Sequence, residues 1–251
     1  MDNSEMMDST LVEQEVPNVS VKPDITDGIK VYPISHATMV LEYEKTVIYV
    51  DPVGGADAFK GLPKPRIILV TDIHGDHMDV PTLEALANSG VLIVVPKEVA
   101  AKLPESLKPN QSVMSNGQNI SMSSKTMNVA IEAVPMYNLR EEALKFHENG
   151  RGNGYVLTLG GKKIYISGDT EDIPEMRNLK DIDIAFVCMN LPYTMTIESA
   201  ADAVLEFKPK KVYPYHYRGT DGFSDVDKFK SIVNQGDKSI EVTLLDWYPN
   251  T

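Results

Sequence analysis

Between a continuous apolar run and the start of a helical pattern, the chain reads Asp72-Ile73-His74-Gly75-Asp76-His77-Met78-Asp79. Four groups able to bind a metal, Asp72, His74, Asp76 and His77, fall within this short stretch. Imidazole and carboxylate at such density suit a borderline divalent cation such as Zn²⁺, Mn²⁺ or Fe²⁺. The whole chain has only five histidines, so the places of the others are informative. His147 lies in the glycine-rich stretch Phe146-His147-Glu148-Asn149-Gly150-Arg151-Gly152-Asn153-Gly154. Asp169 follows an apolar run in Ser167-Gly168-Asp169-Thr170, and His216 closes the run Tyr213-Pro214-Tyr215. A single such loop could be an ordinary solvated turn. Three further candidates, each beside or at the end of a strand-like run, point instead to one shared site. Cysteine contributes little: Cys188 is the only one and sits in the apolar run Asp183–Met189, where a small buried core residue is expected.

The elements that must position these groups follow from periodicity and punctuation. Residues 1–27 are polar and acidic with Pro17 and Pro23, and are expected to form a flexible arm, leaving 28–251 as the domain. Short β-rich runs follow at Ile29–Ile34, Thr38–Tyr43 and Thr46–Val50, with Glu44-Lys45 as a tight turn. Arg66–Val70 is a strand of the type buried on both faces, and it delivers the chain directly into Asp72. A helix is expected from Asp79, as N-cap, to a stop at Gly90. Val91–Val95 is a further buried strand with a short helix near Pro96–Leu103, and Leu107–Lys125 is read as turns with one edge strand. Asn128–Val134 alternates as a strand, and Met136–Gly154 is a long functional loop. Tyr155–Leu159 and Lys162–Ser167 make a hairpin across Gly160-Gly161. Helices at Thr196–Phe207 and Asp225–Gln235 flank a strand at Lys211–Tyr215, and Glu241–Leu245 is the last strand. No internal repeat is visible at the motif level. Strand runs alternating with helices give a layered α/β domain.

Composition narrows the function. At 251 residues and 42% hydrophobic, the chain can bury one sizeable core. Its formal charge, 24 − 36 = −12, offers no overall attraction to nucleic acid or anionic membrane. No apolar run reaches membrane-spanning length. One cysteine and no secretory pattern give a cytoplasmic expectation. A small-molecule substrate is expected, with no nucleic-acid or membrane partner, and a homo-oligomer is allowed. The segment Gly150–Gly154 lacks the spacing and the following helix of a dinucleotide loop, and Ser35, Ser167 and Ser199 lack a nucleophile elbow.

The order of a His/Asp cluster after a strand, a loop histidine, Gly168-Asp169-Thr170 and the strand-end His216 resembles the metallo-β-lactamase superfamily, over about residues 28–249. Within it the likeness is to the bacterial branch that resembles ascorbate-phosphate lactonases. The resemblance implies a four-layer αββα sandwich with two divalent metal ions, zinc foremost and Mn or Fe as alternatives, at one edge between the sheets. The first ion would be held by Asp72, His74 and His147, the second by Asp76, His77 and His216, with Asp169 bridging. Metal-activated water would cleave an ester-like bond, with a lactone or phosphoester favoured. The alternative is a non-catalytic metal-binding sensor or scaffold on the same fold. A nuclease reading would need a basic groove or an added domain, and neither is visible in this chain.

One departure stands out, since the family usually has histidine where this chain has Asp72. A carboxylate there either ligates, making the first position harder and more anionic, or acts from behind a ligand. Asp76, His216 and His36 are the catalytic candidates. His36, in Ser35-His36-Ala37, either contacts substrate or orients a metal-bound group, or else is a hydrogen-bonded structural histidine in a hairpin. Asp51 is read as an acceptor behind a ligating histidine, and Asp79 serves likewise or simply as N-cap. Tyr137, Asn138, Arg140, Arg151, Asn190–Thr194, Tyr217 and Arg218 are candidates for the pocket wall, each arginine being either an anion clamp or a solvated surface group.

Overall fold

The computed structural model describes residues 22–88 and 90–249. The first sheet follows chain order: β1 (Asp24–Thr26), β2 (Ile29–Ser35), β3 (Thr38–Tyr43), β4 (Thr46–Val50), β5 (Ile67–Leu69), β6 (Leu92–Val95) and β7 (Gln111–Val113). Its first four strands are antiparallel, and β4 to β7 are parallel. The second sheet repeats this plan. β8 (Asn119–Ser124), β9 (Met127–Met136), β10 (Gly152–Leu159) and β11 (Lys162–Ile166) are antiparallel, after which β12 (Ile184–Cys188) and β13 (Lys211–Tyr215) continue in parallel. A small hairpin of β14 (Arg218–Gly219) and β15 (Gly222–Phe223) follows, and β16 (Glu241–Val242) completes the second sheet beside β13.

The side-chain period of two sorts each buried strand between two cores. In β5, Ile67 and Leu69 face the second sheet, packed in one cluster with Ile131, Tyr155 and Leu157. Ile68 and Val70 face the other way, into a cluster with Leu83 of α1 (Val80–Leu86) and Val99 of α2 (Lys97–Ala100). On the far side, α3 (Pro174–Arg177), α4 (Ile197–Phe207) and α5 (Val226–Gly236) pack side by side against the second sheet, α3 at β9 and α5 at β16. The result is a four-layer αββα sandwich, as expected from the sequence. Thr196 caps α4 by accepting the Ser199 N–H, and Asp225 caps α5 by accepting that of Lys228.

Several boundaries differ from the sequence expectation. A strand, β1, falls within the residues expected as an arm: Asp24–Thr26 pairs with Ile29–Val31 around Asp27-Gly28, both at positive φ (53° and 81°). Residues 1–21 of the expected arm lie outside the described residues. α1 ends at Leu86, four residues short of Gly90, and the Asp79 side chain accepts from Thr82 Oγ1 rather than from a helix N–H. The stretch expected to hold one edge strand holds two, β7 and β8, one at the edge of each sheet. Gly152 and Gly154 belong to β10 and not to the loop expected over Met136–Gly154. A Cβ at Gly154 would stand 2.9 Å from the Ser167 carbonyl oxygen, so close strand approach is what requires glycine there. No helix among the described residues is long and apolar enough to cross a membrane.

Candidate metal centre

Strand ends supply most of the site. Asp51 follows β4, the Asp72–His77 loop follows β5, Asp169 follows β11 and His216 follows β13. His36 occupies the β2–β3 turn, and His147 comes from the long β9–β10 connection. Carboxyl ends of parallel strands at one sheet edge are where open α/β sheets gather ligand-binding groups. His36, Asp51 and His216 all hold positive φ, at 54°, 45° and 47°. Residues other than glycine adopt this conformation at a cost, so these three positions carry local strain where the chemistry would be. Gly168, also left-handed, delivers Asp169, and a Cβ there would come within 2.6 Å of Met136 Sδ.

The structure brings all the metal candidates together around Asp169. His147 Nε2 lies 3.1 Å from Asp169 Oδ2, and His77 Nε2 lies 3.3 Å from the same oxygen. His216 Nε2 is 3.1 Å from Asp169 Oδ1 and 3.0 Å from His77 Nε2. Asp76 Oδ2 adds contacts of 3.5 Å to His216 Nε2 and 3.9 Å to His77 Nε2. On the other side of Asp169, Asp72 Oδ2 is 2.8 Å from His74 Nδ1 and 3.8 Å from His147 Nε2. Two ligand atoms held by one tetrahedral ion, each about 2.1 Å away, lie roughly 3.4 Å apart. The observed spacings straddle that value.

Supporting groups fix which ring nitrogen faces inward. His77 Nδ1 is 2.8 Å from Asp51 Oδ2, and Asp51 also accepts the Thr71 N–H and hydroxyl at 2.7 Å each. Asp51 thus stands where the sequence put it, as the acceptor behind a histidine. His147 Nδ1–H donates to the Tyr193 carbonyl at 3.1 Å. That carbonyl also accepts from Asn138 Nδ2, and Glu171 fastens the region by accepting the Leu139 and Arg140 N–H groups and the Arg140 guanidinium. Arg140 in turn donates to the Pro192 and Thr194 carbonyls. Neither Arg140 nor Arg151 is the solvated group or free anion clamp considered from sequence. Arg151 grips Asp72 with two bonds of 3.2 and 3.0 Å and also donates to the Phe146 carbonyl. Asp79 bonds Thr82 and stays outside the site.

The electrostatics favour a cation. Asp51, Asp72 and Asp169 are buried and Asp76 is 42% exposed, while Arg151 is the cationic side chain bonded to this group. Burial pushes the Asp169 carboxyl up, but His216, His77 and His147 outweigh it and hold it well below the ordinary value. Burial likewise raises Asp72, yet His74, His77 and Arg151 bring it down to about 2. Asp76 is lowered through His216 and His36 in spite of its desolvation. Burial alone would depress His77, but Asp169 and Asp51 hold its proton affinity well above normal. A site that draws protons so strongly onto an imidazole draws a divalent cation by the same field. Two inward atoms, His147 Nε2 and Asp169 Oδ1, are buried without a hydrogen-bond partner, as donor atoms aimed at an ion would be. The residues therefore fit a divalent metal. Cys188 takes no part: it is fully buried and burial pushes its thiol up to about 11.

A family model described as a β-lactamase superfamily domain matches residues 46–217. A UPF0173 metal-dependent hydrolase of Pyrococcus abyssi is 31% identical over 229 residues, covering 86% of this chain and 96% of the relative. A solved structure from Parabacteroides distasonis, described as a metal-dependent hydrolase, shares 38% identity at a TM-score of 0.76, over 88% of this chain and 94% of its own. A metallo hydrolase of the archaeon Ignicoccus hospitalis has the same fold, with a TM-score of 0.72 at 20% identity and coverage of 86% and 94%.

Proposed function

The chain belongs to the β-lactamase superfamily, as a metal-dependent hydrolase of the metallo-β-lactamase fold, and from that premise we propose that it cleaves an ester-like bond in a small molecule, a lactone or a phosphoester. The observation that supports this most is the convergence of His77, His147 and His216 on the two oxygens of Asp169, with Asp76 beside His216 and Asp72 and His74 beside His147, and with buried donor atoms left unpartnered. Asp72, His74 and His147 would hold a first divalent ion, and Asp76, His77 and His216 a second, zinc before manganese or iron. When bound, such ions supply Lewis acidity, lowering the pKa of water towards about 7 and polarising the scissile group.

The protein's own contribution is orientation. Asp51 holds the His77 ring with its Nε2 inward, and the Tyr193 carbonyl does the same for His147. Asp169 sets the spacing between the two halves. His36, beside Asp76 and His216, stands where it can touch either a ligand or the substrate. The single buried cysteine supports a reducing, cytoplasmic setting. The test is hydrolysis of a panel of lactones and phosphoesters by zinc-, manganese- and iron-loaded protein, with Asp169→Ala beside it. Turnover of one class, lost in the variant, is the expected result. Stoichiometric metal without turnover of either class would remove the ester assignment.

A further inference from the structure

Four imidazoles surround Asp76 and Asp169, and for His36, His77 and His147 the partner of the outer nitrogen decides what the inner nitrogen can do. For His77 and His147 that partner is an acceptor, the Asp51 carboxylate or the Tyr193 carbonyl, so the outer nitrogen carries the proton. His36 differs. Its Nδ1 lies 2.7 Å from the Tyr248 hydroxyl, and that same oxygen accepts the backbone N–H groups of Tyr217 and Arg218 at 3.1 Å each. A hydroxyl has one proton and two lone pairs. With both lone pairs engaged, what Tyr248 offers His36 is its proton, and Nδ1 must accept. The neutral ring then carries its own proton on Nε2, which lies 3.3 Å from Asp76 Oδ2.

We propose that His36 is an N–H donor to Asp76, locked in that tautomer by Tyr248, and is not a third imidazole ligand of the second ion. Distances alone would allow the other role, since His36, Asp76 and His216 lie close enough together to hold a cation. The proposal rests on the reading of Asp76 as a ligand. Tyr248 is on this account a positioning residue acting through His36, and it is itself anchored: the His36 N–H donates to the Trp247 carbonyl at 3.1 Å, joining the β2–β3 turn to the C-terminal segment. The His36 carbonyl in turn accepts the His216 N–H at 3.3 Å, so the turn is tied to the strand end that carries a ligand.

The direct test is long-range proton–nitrogen NMR of the zinc-loaded full chain with labelled histidine. The His36 Nε2 is expected to carry the proton and Nδ1 to behave as an acceptor. In Tyr248→Phe the lock is gone, and His36 is expected to populate both tautomers while far-UV circular dichroism shows an intact fold. A zinc-shifted Nε2 with a protonated Nδ1 in the wild type would overturn the proposal, as would an unchanged tautomer in Tyr248→Phe. A second pair of variants removes dependence on Tyr248. Glutamine can place an N–H near the position of Nε2, so His36→Gln should keep zinc affinity within about threefold, whereas His36→Ala should lose about tenfold or more. Equal losses in the two would indicate a ligand and overturn the proposal. A wild type that took up no zinc would sink the metal-centre reading instead. The tautomer would still be readable in that protein, where Nε2–H supports the inference and Nδ1–H overturns it.

Discussion

The two candidate halves of the centre share Asp169 but are braced differently, since only one of them carries an arginine on its carboxylate. In the second position Asp51 holds the outer face of His77, while His36 Nε2 approaches Asp76 Oδ2, the oxygen that also faces His216 and His77. In the first position the support on the candidate ligand is a cation. Arg151 bonds both oxygens of Asp72, and His74 Nδ1 approaches one of those oxygens at 2.8 Å. A cation arriving at the first position must therefore share a carboxylate that is already neutralised, while one arriving at the second meets a carboxylate whose ion-pair partners among the described residues are histidines alone. The comparison teaches that ligand type alone does not set affinity. What the other atoms of each ligand are doing matters as much. It also gives the Asp72 departure a physical content: paired with Arg151, the carboxylate presents about the same net charge as the neutral imidazole the family usually places there.

The strongest way to break this comparison is to remove the shared member. Asp169→Ala should lose most metal from both positions, and elemental analysis of the purified variant would show it. Retention of the wild-type metal content would mean that the two halves are not joined through Asp169. Removing a brace should act on one half only. Asp51→Asn is expected to weaken the second position about tenfold to a hundredfold while sparing the first, as read by competition with a chromogenic chelator. A loss shared equally between the positions would refute the separation. Asp72→His should sharpen the contrast from the other side by strengthening the first position and shifting it towards zinc over manganese. An unchanged metal profile would place Asp72 outside the ligand set. The smallest expected effect belongs to Arg151→Met, which frees the Asp72 oxygens. First-position affinity should rise a few-fold, and a fall would make Arg151 a support rather than a competitor.

Much of this arrangement was legible in the sequence because its parts are local. Asp72, His74, Asp76 and His77 are adjacent in one loop, and Asp169 and His216 are announced by the apolar strands before them. Asp51 could be placed behind a ligand for the same reason, because β4 pairs with β5 and both end at the same edge. Two features were less accessible. Asp27-Gly28 carried a hairpin signal for β1, a dipeptide suited to a turn with two positive φ values, but the acidic composition around it argued for an arm. Tyr248 lies 212 residues from His36, and nothing in the composition or spacing of either segment links them. The pairing of Arg151 with Asp72 is of the same kind, spanning 79 residues and depending on how β10 enters beside β5. The doubled plan of four antiparallel and then parallel strands in each sheet also left no motif-level trace, since a strand needs only its apolar alternation and not a particular residue order.

The central claim is that one chain holds two unequal metal positions around Asp169. Calorimetric titration of zinc into metal-free protein tests it most directly, with Asp72→Ala and Asp76→Ala as partners to the wild type. Two separable binding steps are expected, the tighter lost in Asp76→Ala and the weaker in Asp72→Ala. A single step of two equal sites, or loss of the tighter step on removing Asp72, would contradict the account.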